Sequence, residues 1–351
     1  MNCEKLAAPF PYFGGKSGIA PTIWTALGDV DIFIEPFIGS AAVLLARPHT
    51  PRREIANDRD GFVANFWRSV QKDPAAVAAA CRGPAHELEL LARHRWLCDY
   101  ARKRKLIDRI SADVDYCDPR IAGYWAWIMS VWIGSGVCEG TWFGPDDPRN
   151  VGTCIVNPKK LHLAPSGVFA MRRRGRLPEL FGRLAERLAG VIINCGDWSR
   201  CFIPSDLAGP RTLGVYLDPP YAFSVGRTEK IYRCEKSDTA DVGEWCRQHG
   251  TKRHIRIVLS GFEGEYNLPG WRILPWKKRR GYARAATGLA NCDRERLWIS
   301  PHCGEVAGAV IATGRRKTAR WRPRTDQPTI KRPSRRPPCR RPGKRSLVRR
   351  A

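Results

Sequence analysis

Seven short apolar runs, each bounded by turn or acidic residues, constrain this chain more than any other feature. They are Asp31–Ile34, Arg53–Ala56, Val191–Cys195, Leu213–Leu217, Ile255–Leu259, Trp271–Leu274 and Arg296–Ile299. Runs of this length and composition read as strands. Helical patterns fall between several of them, at Ser40–Ala46, Gly61–Val70, Leu177–Leu188 and Asp241–His249. Such alternation predicts an α/β fold with a mostly parallel sheet covered on both faces. Open sheets of that kind bind ligands outside the carboxyl ends of their strands. Residues just past each run are therefore the first place to look for chemistry.

The sharpest of these is Asp218-Pro219-Pro220-Tyr221, directly after Leu213–Leu217. Two prolines make a rigid, extended loop. Such a loop can hold a carboxylate, a backbone carbonyl and an aromatic face around a flat substrate. Asp218 and the Pro219 carbonyl can accept hydrogens from an exocyclic amino group while Tyr221 stacks on the ring, which is how a flipped base is read. The bland alternative is an ordinary Pro-Pro turn after a strand.

After the first run comes Glu35-Pro36-Phe37-Ile38-Gly39-Ser40-Ala41-Ala42-Val43. A strand passing through small residues into a helix is a nucleotide-type cofactor turn. The full G-x-G-x-x-G is absent, so no pyrophosphate cofactor is indicated. Asn57-Asp58 ends the next run, and Asp58 lies 19 positions beyond Gly39. An acidic residue at about that distance suits ribose hydroxyls; a turn-forming role is the alternative. Near the N-terminus, Pro11-Tyr12-Phe13-Gly14-Gly15-Lys16 falls short of a P-loop although Ser17 follows the lysine. It fits better as a turn presenting an aromatic ring and a cation to a small ligand. Gly196-Asp197-Trp198 closes the third run with a carboxylate and an indole at the same sheet edge.

Charge points to the partner. The chain has 351 residues, with 60 Lys+Arg against 34 Asp+Glu and a net charge of +26. This is well beyond what solubility needs and points to a polyanionic partner such as nucleic acid. Residues 304–351 carry 16 Lys+Arg and 2 Asp+Glu, so the rest of the chain is basic by itself. The stretch from Arg315 is Arg and Pro with little apolar content and reads as disordered, either a phosphate-binding tail or an incidental extension. Thirteen scattered cysteines, an odd number with no C-x-x-C, fit a reducing compartment and give no metal framework. No metal is expected on spacing, and His94 and His162 are read as structural. Met1 to Phe10 has no apolar signal region, and the longest uncharged run, Ile121–Cys138, is short for a membrane span. A cytoplasmic protein without membrane contact is expected.

Residues 72–175 interrupt the strand–helix alternation, and that is too long for a loop. They include Arg93, Arg95, Arg102, Lys103, Arg104 and Lys105, then Lys159, Lys160, Arg172, Arg173 and Arg174. These basic groups are either solvated helix faces or phosphate contacts. Trp125, Trp127 and Trp132 are expected in the core rather than as a base-stacking platform. The resulting division is a catalytic domain of residues 9–71 and 176–303, an inserted subdomain of 72–175, and a basic tail of 304–351.

Taken in order, aromatic-x-Gly-Gly-Lys, Glu-Pro-Phe-x-Gly, Asn-Asp, Gly-Asp-Trp and Asp-Pro-Pro-Tyr resemble the Dam-like (D12 class) DNA N6-adenine methyltransferases. Ser260–Tyr266, Leu268–Trp271 and Glu295–Pro301 are similar to phage-encoded members, and the likeness covers roughly Pro9 to Cys303. The resemblance implies a Rossmann-like sheet that binds S-adenosylmethionine, with an inserted, mainly helical target-recognition subdomain. It implies a catalytic loop of Asp218, Pro219, Pro220 and Tyr221. Its cofactor residues would be Tyr12, Gly14, Gly15, Lys16, Glu35, Pro36, Phe37, Gly39, Asp58, Asp197, Trp198 and Asp218. Ala41 departs from the pattern, since many relatives have a second Gly there, and its methyl is expected to crowd the cofactor. Trp132–Val137 replaces the insertion pattern of the enteric enzymes, so their recognised sequence does not carry over. The implied activity is site-specific adenine methylation of double-stranded DNA, whether as a restriction partner, an orphan regulator or a phage defence against restriction, and a monomer without an obligate protein partner is adequate for a short or asymmetric site. A cytosine-N4, RNA or glutamine-amide methyltransferase would use a similar pocket, and a degenerate, DNA-binding relative is the rival from another class.

Overall fold

A computed structural model describes residues 6–12, 14–103, 105–132, 137–138, 167–221, 239–276 and 294–311. They belong to one unit, residues 1–314. Arg104, Lys159, Lys160, His162 and the stretch from Arg315 lie outside the described residues.

Eight strands form one sheet: β1 (Ile32–Glu35), β2 (Arg53–Asp58), β3 (Val191–Cys195), β4 (Leu213–Leu217), β5 (Ile255–Phe262), β6 (Arg272–Pro275), β7 (Glu295–Ile299) and β8 (Val310–Ile311). Their order is β3-β2-β1-β4-β5-β7-β6-β8. The first five are parallel, while β7, β6 and β8 pair antiparallel. All seven expected runs are strands. The fold is mixed α/β, as expected, with a parallel half and an antiparallel flank.

Period-two alternation sorts the strand residues between two cores. Ile32 and Ile34, Leu213, Val215 and Leu217, and Ile255, Ile257 and Leu259 fill one face. Phe33, Tyr216, Val258, Leu297 and Ile299 fill the other. The second face is covered by α1 (Ala20–Leu27), α3 (Gly61–Lys72) and α9 (Leu177–Leu188). The first carries α11 (Thr239–His249), through Val242 and Cys246. A single-turn α2 (Ala42–Leu45) follows β1, and α10 (Pro204–Ala208) precedes β4.

The described part of residues 72–175 is helical: α4 (Pro74–Ala80), α5 (Glu87–Lys103), α6 (Leu106–Ala112), α7 (Pro119–Val131) and α8 (Val168–Arg173). Asp73 caps α4, and Asp118 caps α7 by accepting from the Ile121 N–H. Asn65, fully buried on α3, exchanges two hydrogen bonds with the Asp118 backbone. Gly123 lets α7 lie directly on α4, because a Cβ there would sit 2.4 Å from the Ala80 Cβ. Trp125, Trp127 and Trp132 are buried in the same apolar cluster as the sheet face, which is the core role expected of them. No helix among the described residues is long and apolar enough to cross a membrane.

Candidate active site

The strand order reverses between β1 and β4, and such a switch point opens a crevice at the carboxyl edge of the sheet. Glu35 is the last residue of β1, and Asp218 follows β4 directly. An open cleft of about 750 Å3, its mouth included, lies at this edge. Four chain segments wall it: Tyr12–Lys16, Glu35–Ala42, Asp58–Asp60 and Tyr216–Pro220.

Each segment is held by interactions that the local sequence makes available. Phe10 is buried against Phe66 and Trp125, and this anchors the chain that carries Tyr12 to the cleft. The β1–α2 turn depends on Gly39, whose φ of 43° is left-handed and whose missing Cβ would meet the Tyr12 ring at 2.7 Å. The Gly39 N–H donates to Asp58 Oδ2 at 3.0 Å, and its carbonyl accepts from Trp67 Nε1 at 2.9 Å. Asn57, buried at the end of β2, donates from Nδ2 to the carbonyls of Pro36 and Gly196. One amide thus ties the ends of β1, β2 and β3 together.

Lys16 is almost wholly buried, and its ammonium meets both carboxylate oxygens of Asp218, at 2.8 and 2.7 Å. It also donates to the Gly14 carbonyl at 2.9 Å, and lies 5.5 Å from the centre of the Tyr221 ring. The Tyr221 hydroxyl lies 3.1 Å from Glu295 Oε2 and 3.4 Å from Asp218 Oδ1. Glu35 is buried and accepts from the Leu44 N–H at 3.0 Å. Burial pushes its carboxyl well above the ordinary range; the Leu44 N–H opposes this, and the neighbouring Asp218 adds to it. Burial likewise raises the phenol of Tyr216, which pairs with Ser260 Oγ at 2.8 Å.

Of the residues singled out in the sequence, Tyr12, Gly14, Gly15, Lys16, Glu35, Phe37, Gly39, Asp58, Asp218 and Pro220 line the cleft. Pro36, Pro219, Tyr221, Asp197 and Trp198 are not among its lining residues. Asp197 is paired with Arg59, which does line it, and the Trp198 ring stacks on Phe37 at 6.4 Å. Asp58 accepts from two backbone N–H groups, of Gly39 and Asp60, so it organises the turn as well as facing the cleft.

Ala41 corrects an expectation. It is fully buried in the core, while its neighbours Ser40 and Ala42 line the cleft. The alanine is held on a left-handed backbone, φ 53°, with its methyl in the core rather than in the cleft. Ile38, Ser40 and Ala42 lay within the cofactor-turn motif, whereas sequence reasoning passed over Arg59, Asp60 and Tyr216 on the wall, and Glu295 beside Tyr221. Alternation along β4 had the signal for Tyr216, two positions before Asp218 on the same face. Glu295 had none, because only the antiparallel register of β7 against Phe262 brings it to the carboxyl edge of β5.

Four of the five motifs, in the segments Tyr12–Lys16, Glu35–Gly39, Asn57–Asp58 and Asp218–Pro220, now have a shared geometric role at the cleft. Residues 12–113 match the D12 class N6 adenine-specific DNA methyltransferase family. This D12-class match bears out the resemblance and supports DNA adenine methylation as the general activity. Asp197-Trp198 and Asp218–Tyr221 lie beyond the matched residues, and they join the D12-class segments through the fold. No curated protein matches the chain.

Proposed function

We propose that the protein transfers a methyl group from S-adenosylmethionine to N6 of an adenine flipped out of double-stranded DNA, at a specific sequence. One observation carries this reading: the Asp218-Pro219-Pro220 loop and the turn held by Gly39 and Asp58 wall the same cleft. The donor set fits such a cofactor. Asp58 and Asp60 suit ribose hydroxyls, Asp218 suits a cationic sulfonium and ammonium, and Tyr12 and Phe37 offer rings to a purine. Nothing in the β1–α2 turn is built for a pyrophosphate. When bound, S-adenosylmethionine supplies an electrophilic methyl group.

The chain's own groups supply orientation. Lys16 fixes the Asp218 carboxylate but occupies only part of it, since a carboxylate has about four acceptor positions. Asp218 and the Pro219 carbonyl accept the two amino hydrogens of the target base, which turns the nitrogen lone pair towards the cofactor side. Tyr221, held by Glu295, packs against the base. The gain is positioning and polar preorganisation, and it needs neither a covalent enzyme intermediate nor a general base. Basic residues of 72–175 grip phosphates, and others there read base edges. The enzyme works as a monomer in the cytoplasm.

The test is incubation with labelled S-adenosylmethionine and unmethylated genomic DNA, followed by digestion to nucleosides. Label in N6-methyladenine is expected. Label in N4-methylcytosine would keep the pocket and overturn the substrate. No label, with cofactor and DNA intact, would favour the DNA-binding relative.

A further inference from the structure

We propose that His94, Cys98 and Cys138 form a binding site for a zinc-class divalent cation, away from the methyl-transfer cleft. His94 and Cys98 lie four residues apart on α5 and so share one face of that helix. Cys138 comes from the chain beyond α7. All three residues are more than nine-tenths buried, and their donor atoms lie within 4.8 Å of one another. Among the described residues this is the group of three His, Cys or carboxylate donors close enough to share an ion.

The spacing between the sulfur and the imidazole suits a shared metal ion. Cys98 Sγ is 3.8 Å from His94 Nε2, long for a thiol hydrogen bond. Zinc takes sulfur at about 2.3 Å and imidazole nitrogen at about 2.0–2.1 Å, which separates two tetrahedral donors by about 3.6 Å. The present spacing is therefore near that of a metal-bound pair. The imidazole is already aimed: the Cys138 N–H donates to Nε2 at 3.1 Å, and the Trp132 ring packs on its face at 4.7 Å. That hydrogen bond puts the ring proton on Nδ1, which is buried with no hydrogen-bond partner. Cys138 itself has a left-handed backbone, φ 59°, an unusual conformation for a side chain that reaches into a core.

Charge selects the ion. Two thiolates and a neutral imidazole exactly offset a doubly charged cation, which a buried apolar site requires. Binding then releases one proton from each thiol and replaces the Cys138 N–H contact at Nε2. Soft sulfur donors favour zinc over magnesium or calcium. Three protein donors leave a fourth position for water. The ion would fasten α5 to the chain just after α7, within the helical region of residues 72–175.

The untagged full-length protein is purified from zinc-supplemented cells, and metal is counted by mass spectrometry. The zinc-free protein is then titrated with cobalt(II). One zinc per chain is expected, with a cobalt–thiolate charge-transfer band and the visible bands of a tetrahedral site. Cys98→Ser and Cys138→Ser should each lower zinc at least tenfold, while Cys246→Ser, a buried thiol elsewhere, keeps it. Retained zinc in both Cys98→Ser and Cys138→Ser would overturn the assignment. A Cys98–Cys138 disulfide in peptides from the freshly isolated protein would also overturn it. Should the serine variants fail to fold, cobalt titration of the unaltered protein decides, since absence of the thiolate band removes the site.

Discussion

Asp218 has two partners already in place, and that makes it the most informative residue to change. Lys16 and Tyr221 set its direction, so Asp218→Ala removes an oriented acceptor from a prebuilt frame. Methylation rate should fall at least about 10²–10³-fold, the usual effect of losing a preorganised polar group. DNA retention on a filter should stay nearly unchanged, and equal loss of both would contradict the assigned role. Glu35 makes a different prediction. Its folded pKa is raised above the ordinary 4.5 by burial, so the folded protein keeps a proton that the unfolded chain gives up. Stability linked to this group is present in acid and is lost as pH rises from about 4.5 through the folded value. Glu35→Gln should flatten the thermal-stability profile across that window. A profile equally steep in both proteins would show that the buried carboxyl is not its source.

Elements matter most where a single residue sets their spacing. Gly39→Ala would force a side chain into the Tyr12 ring and onto a left-handed backbone that costs roughly 1–2 kcal/mol. The dissociation constant for S-adenosylmethionine, measured by calorimetry, should rise about tenfold or more if 1.4 kcal/mol of that strain is felt on binding. Ala41→Gly relieves similar strain two residues away and removes a core methyl, so cofactor affinity should not change. Glu54 acts between elements. Buried on β2, it is paired with Arg47 after α2 and with Arg187 on α9, and Arg187 also donates to the Leu44 carbonyl. Glu54→Ala would leave Arg187 without its carboxylate and Arg47 with only the longer Asp29 contact at 3.7 Å, and should cost about 3–5 kcal/mol in urea denaturation.

For the molecule as a whole, charge and shape separate. The net +26 predicts DNA affinity that falls steeply with salt, because each phosphate contact releases a counterion. Residues 315–351 hold 16 Lys+Arg and one Asp. A protein ending at residue 314 should bind DNA with a shallower dependence of log affinity on log salt. Its methylated positions, mapped by sequencing, should be the same as those of the full chain. Altered positions would mean that the tail reads sequence rather than phosphate.

The strands and many of the residues that line the cleft were legible in the sequence, because short apolar runs and their polar ends are local signals. β4 and the Asp218-Pro219-Pro220-Tyr221 loop are read from adjacent residues alone. So are Gly39, where the chain must turn tightly, and Asp58 at the end of a strand. Tertiary structure decided what depends on register and packing between distant segments. The insertion of antiparallel β7 between β5 and β6 brings Glu295 to Tyr221, and no local pattern encodes that pairing. The burial of Ala41 is decided by the direction of one left-handed residue. His94 and Cys138 lie 44 positions apart in the chain, and only the packing of α5 beside the end of α7 makes them neighbours.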